Sequence, residues 1–254
     1  MSGIRLSRCK GLTFGDITIS NSDKNGVYLM RVEKPSTPTL NVVELTAPGR
    51  DGSVFLKDRY SNKDINVVIG IYKENIDERR ETQRRIIGGL ISREDKLYFH
   101  DEPKMYHIGE VFDEVSIDEQ DFFTEISLTF KCKPFIYSDN TKTSWAGITS
   151  VVTKQIINTG NFMAKPMIKI EGTATRISIT IADKAFSLSN VNGTVYVDVD
   201  NMNVYTILEG VKKSVLQSFL GSFPTIPTGS SNVVIDGEAL NVTVTIDFAN
   251  TYIC

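Results

Sequence analysis

Period-two alternation of apolar and polar residues, cut at short intervals by turn-forming dipeptides, is the pattern that most restricts this chain. Successive side chains of an extended strand point to opposite faces, so this period builds half-buried strands and cannot line one face of a helix. It runs through "DITIS", "VYLMRVE", "NVVEL", "SVFLKDRY", "INVVIGIY" and "ISLTFKCKPFIY". It resumes in "PMIKIEG", "RISITIA", "TVYVDVD", "VYTILEG", "NVVIDG" and "LNVTVTIDF". Asn25-Gly26, Asn192-Gly193 and Asp236-Gly237 each predict a hairpin, because these dipeptides supply the positive φ of tight turns. The expected fold is mainly β: a sandwich or barrel-like first domain with one α-helix, then a β-sandwich of seven or eight strands.

One loop carries more turn chemistry than a hairpin tip requires. In "ELTAPGRDGSVF", residues 44–55, Pro48-Gly49 fits a type II turn and Asp51-Gly52 is a second turn signal. Between them stand Arg50 and Asp51. A wide solvated tip accounts for this pattern, and so does a stiff tip that presents the charged pair to another surface.

The helix falls at residues 75–92, "NIDERRETQRRIIGGLIS". Ile76, Gln83, Ile86, Ile87, Leu90 and Ile91 recur at helical spacing. Asn75 followed by Glu78 resembles a capping box, and Gly88-Gly89 predicts an end or bend. Arg79, Arg80, Arg84 and Arg85 form a polar face that could touch phosphate but is read as solvated or salt-bridged. A polar stretch at 139–149 is read as a linker between domains 1–138 and 150–254.

Chemistry-bearing constellations are scarce. His100 and His107 in "HDEPKMYH" have no spacing common to metal sites. Asp198 and Asp200 share a strand face, as a glycosidase pair does, but fit a solvated turn equally well. Nucleophile-elbow, Walker and zinc-protease motifs are missing, so no enzyme, cofactor or metal is expected. The formal net charge of −3 argues against bulk electrostatic binding of nucleic acid. No segment has the unbroken apolar length of a membrane span, and no signal peptide is read at the N-terminus. Cys9, Cys132 and Cys254, an odd number far apart, fit a reducing compartment such as cytoplasm.

Together, "APGRDG", the helix after "INVVIGIY", "LYFHDEPKMYH" and "LTFKCKPFIYS" resemble the first half of the distal tail (Dit) proteins of siphophages that infect Gram-positive hosts. "NTGNFMAKPMIKIEGTATRISITI", "VYVDVDNMNVY" and "GSFPTIPTGSSNVVI" resemble the second half. The resemblance implies a virion protein at the tail tip: a homo-hexameric ring, in one copy or two back to back, joining the major tail protein of the tube to a fibre or hub protein. It implies a galectin-like second domain and a channel that passes DNA without binding it specifically. It also makes a subunit contact of Arg50 and Asp51. Galectins bind sugar through His, Asn, Arg and a stacking Trp. The second half has no His, and the chain's single Trp, Trp145, falls in the expected linker, so a galectin sugar site is not expected. Rival readings are a tail-tube protein and a host-wall carbohydrate-binding module. Finally, "GEVFDEVSIDEQDFFTEISLTF", residues 109–130, has Glu110, Asp113, Glu114, Asp118, Glu119, Asp121 and Glu125 and no base. These acids would need open water or basic partners, and the ring reading makes them candidates to line the channel.

Overall fold

The computed structural model describes residues 9–253 except 36, 47, 50 and 92. It divides into two compact units, with the boundary between Tyr137 and Ser138. The mainly β expectation holds in both.

The first unit contains β1 (Gly11–Phe14), β2 (Ile17–Ser20), β3 (Val27–Glu33), β4 (Leu40–Thr46), β5 (Ser53–Tyr60), β6 (Lys63–Ile71), α1 (Ile76–Leu90), β7 (Asp95–Phe99), β8 (Met105–Glu110), β9 (Ser116–Glu119) and β10 (Thr124–Cys132). Antiparallel pairing gives the order β2-β1-β7-β8-β10-β6-β3. The β9 strand pairs with the N-terminal half of β10, on the edge that β8 occupies further along. At the two ends of this order, the Asn21 side chain donates to the Leu29 carbonyl and accepts from the Leu29 amide. The arrangement is therefore barrel-like. Strict alternation in β6 and β10 places Ile65, Val67, Ile69, Ile126, Leu128 and Phe130 in one apolar core with Leu12, Phe14 and Leu97.

Asn25-Gly26 does not make the expected two-residue hairpin. Six residues separate β2 from β3, which pair with β1 and β6 respectively. Gly26 does adopt a positive φ of 76°, and its carbonyl accepts from the Tyr72 amide. The α1 helix begins as expected: the Asn75 side chain accepts from the amides of Asp77 and Glu78. It ends at Leu90, one residue past Gly88-Gly89, in keeping with the expected stop there. Gly89 lets Ile17 pack close, since a Cβ there would lie 2.4 Å from that side chain.

The second unit holds most of β11 (Ile136–Ile148), then β12 (Val152–Asn158), β13 (Met167–Ile181), β14 (Lys184–Asp198), β15 (Asn203–Leu208), β16 (Val211–Ser214), β17 (Phe219–Gly221), β18 (Gly229–Glu238) and β19 (Asn241–Tyr252). The segment expected as a linker is thus strand. Its polarity belongs to an edge position, where Asn140 donates to Asp247 and Ser144 bonds Thr245 of β19.

A long hairpin organises this sandwich. The strands β13 and β14 pair along their length from Met167↔Asp198 to Ile181↔Lys184, across the two-residue turn Ala182-Asp183. Their outer halves pair with β19 and β15, their inner halves with β18 and β17. Where the hairpin changes sheet, Gly172 (φ 127°) faces Gly193 (φ 100°). Asn192-Gly193 therefore marks a mid-strand bend, not the predicted turn. Asp236-Gly237 likewise lies inside β18, and the chain turns later at Ala239 (φ 51°). Ile168, Ile170, Ile179, Phe186, Val197, Ile235, Val244 and Ile246 fill the space between the sheets.

Candidate functional site

The β4–β5 hairpin stands apart as a sheet of two strands. Its register sets Val43 opposite Leu56 and Leu45 opposite Val54, so these four side chains share one face. Each is 37–52% exposed. On the other face Phe55 is also exposed, and the Ser53 hydroxyl donates to Glu44. A two-stranded ribbon has too little apolar contact to hold itself firmly in water. A continuous apolar face on such a ribbon marks an interaction surface.

At the tip, Gly49 and Gly52 take positive φ values of 80° and 81°, as the two turn dipeptides require. Asp51 is exposed. Arg50 lies outside the described residues. Sequence reasoning fixed on this charged tip and passed over the quartet behind it. The alternation in "NVVEL" and "SVFL" contains the quartet, but nothing local says that no second layer covers it.

The acidic stretch divides by partner. The Glu119 carboxylate takes Arg80 Nε at 3.1 Å and Arg80 Nη2 at 3.4 Å. Arg79 Nη2 approaches the same carboxylate at 4.0 Å. Asp113 pairs with Lys131, which also holds Asp64 at 2.8 Å. The bond to Asp64 is the main reason the Lys131 ammonium titrates above its ordinary range. Two of the seven acids therefore have bases supplied from α1 and β10. Among the described residues, Glu110, Glu114, Asp118 and Asp121 carry no ion pair, and all but half-buried Glu110 are exposed. Phe112 and Phe122 are exposed among them, Phe122 at 82%.

Arg79 departs from the sequence reading. It is 1% exposed and lies beneath α1 with Thr82, Ile86 and Leu90, not on a solvated face. Its Nη1 donates to the Asp121 carbonyl at 3.1 Å, which ties the β9–β10 turn to the helix. The signal was present: Arg79 precedes Gln83 by four residues and Ile86 by seven, on the stripe itself.

The two histidines do not meet as ligands. His100 Nε2 bonds the Thr13 hydroxyl, whereas His107 is 3% exposed and packs edge-on against Phe99. Burial, helped by nearby Lys63 and Lys34, pushes the His107 pKa down to about 3. Burial also raises the Cys132 thiol to about 12, so it is an inert core thiol. Asp198 binds the amide and side chain of Asn201, and Asp200 pairs with Lys165; both brace a turn. Among the described residues no group of His, Cys, Asp and Glu could hold a metal ion, and no helix is long and apolar enough to cross a membrane.

Residues 13–132, most of the first unit, match the phage tail protein RIFT-related domain. Over its fold the chain is similar to the Dit protein of phage SPP1, a hub of the adsorption apparatus in phages that infect Gram-positive hosts. Identity is 16%, with 96% of this chain and 99% of that one covered at a TM-score of 0.70. It is also similar to chains of the phage p2 baseplate in its activated conformation. The calcium form gives 9% identity and a TM-score of 0.50, the strontium form 10% and 0.51; each covers 93% of this chain and 97% of that one. No curated protein matches the chain by sequence. The resemblance to siphophage distal tail proteins is thus met in the domain match and in the fold, and the chain is similar to structural components of phage tails and baseplates.

Proposed function

We propose that this chain is a non-enzymatic tail-tip protein of a siphophage virion, built into a homo-hexameric ring between the tail tube and a fibre or hub protein. The observation that carries the reading is the uncovered quartet Val43, Leu45, Val54 and Leu56 on a ribbon with no layer of its own. Burying it against the next subunit removes that apolar face from water, the dominant favourable term in association. Such a contact joins two different patches, so repetition closes a ring when the rotation allows it. Arg50 and Asp51 extend the contact at its tip. In this reading Glu110, Asp113, Glu114, Asp118, Glu119 and Asp121 line the channel. Of these, Glu114, Asp118 and Asp121 supply most of the negative wall, because Asp113 and Glu119 are matched by bases. Such a wall keeps passing DNA from being held, since each basic contact to phosphate would add salt-dependent affinity.

Native mass spectrometry in the presence of the neighbouring tube and hub proteins tests the reading. The expected result is a six-subunit species for the native chain, lost in the double variant Leu45→Ser/Leu56→Ser while the monomer keeps its melting temperature. A native chain that stays monomeric with both neighbours present would overturn it.

A further inference from the structure

Where β11 ends and β12 begins, the chain crosses from the edge of one sheet to the edge of the other, and a groove of about 410 Å³ opens at the crossing. That volume falls within the range of small-molecule sites, roughly 300–1,000 Å³. Trp145 lines it, half-buried and packed against the sandwich core, with Thr149 and Ser150 on the connecting turn. Gly147, at φ 67°, has nothing within 4 Å of where a Cβ would stand.

Lys154 also lines the groove. It shares a strand face with Val152 and Ile156, the face turned to the core, and is only partly exposed. No ion pair reaches it among the described residues. A lysine on a core-facing position is normally matched by an anion. It can also guard an edge strand against unwanted pairing. Edge protection explains the charge, but not an aromatic wall and two free hydroxyls beside it.

We propose that this groove binds an anionic carbohydrate. The indole face receives the C–H face of a pyranose, Thr149 and Ser150 bond its hydroxyls, and Lys154 neutralises an acidic substituent. This site is separate from the ring contact and does not depend on it. Nor is it the galectin pattern, which the second unit lacks.

Trp145 is the only tryptophan in the chain, so indole fluorescence reports on this groove alone. The full-length protein is titrated with glucose 6-phosphate, with glucose and inorganic phosphate as parallel arms. The expected result is a saturable change with glucose 6-phosphate, weakened about tenfold or more for glucose and in Lys154→Gln, as loss of a charged hydrogen bond predicts. Trp145→Phe, followed by calorimetry, should lose most of the binding heat while melting stays cooperative. An equal response to inorganic phosphate would overturn the carbohydrate assignment. No saturable response, or one unchanged in Lys154→Gln, would leave Lys154 as an edge guard and overturn the proposal altogether.

Discussion

Arg79 brings a charge under α1, and its partners are the Asp121 carbonyl on the β9–β10 turn and the Glu119 carboxylate at the end of β9. Replacing it with Met keeps the volume but leaves that carbonyl without its donor. Arg79→Met is expected to cost about 1–3 kcal/mol, read as a lower urea midpoint with unchanged slope. Arg80→Met, at an exposed pair, should cost no more than about 1 kcal/mol. His107 acts through pH. Its folded pKa of about 3 lies below the ordinary value of 6.5, so the unfolded chain binds the extra proton between those limits. Stability contributed by the neutral ring is complete above pH 6.5 and is lost on acidification towards pH 3, with a slope of at most about 1.4 kcal/mol per pH unit. His107→Phe should flatten the difference in urea midpoint between pH 7 and pH 4; an unchanged slope would show that other groups govern acid unfolding.

Among the elements, those fixed by short-range chemistry were legible. The alternation in β6 and β10 and the Asn75 cap required only a few neighbouring residues to agree. Turn dipeptides misled because glycine answers several demands. At Gly172 and Gly193 it serves a bend between sheets, which is decided by strands far away in sequence, not by the dipeptide itself. A Cβ on Gly172 would lie 2.1 Å from the Asn241 carbonyl, at a φ that L-residues rarely adopt. Gly172→Ala is therefore expected to cost upwards of about 2 kcal/mol. Gly193→Ala, with open space around it, should cost less. Thermal melts followed by Trp145 emission would rank the two, and equal melting temperatures would contradict the bend as the site of strain. The polarity of 139–149 misled for a related reason: an edge strand needs apolar residues on one face only, and Asn140 and Ser144 satisfy β19 by hydrogen bonds.

For the whole molecule, β11 belongs with the unit that follows it. A fragment of residues 138–252 should fold alone as a cooperative sandwich, whereas one starting at residue 150 loses an edge strand and Trp145. Calorimetry of the two fragments would show a lower and broader transition for the shorter one; matching transitions would make β11 dispensable. The candidate surfaces were legible only in part, since exposure depends on which layers fail to cover a strand, and no local pattern records that. If the proposed ring forms, the uncovered ribbon has a further consequence for the protein before assembly. Until a neighbour covers it, "NVVEL" and "SVFL" form two unprotected edges of high β-propensity, the composition that seeds intermolecular stacking. Glu44 is the one carboxylate within these two segments and acts as their gatekeeper. The free chain should therefore have a solubility ceiling that falls further in Glu44→Val and rises when residues 41–59 are replaced by a short Gly-Ser turn; under the proposed function, prompt incorporation into the tail rather than storage as monomer would keep the pool from precipitating.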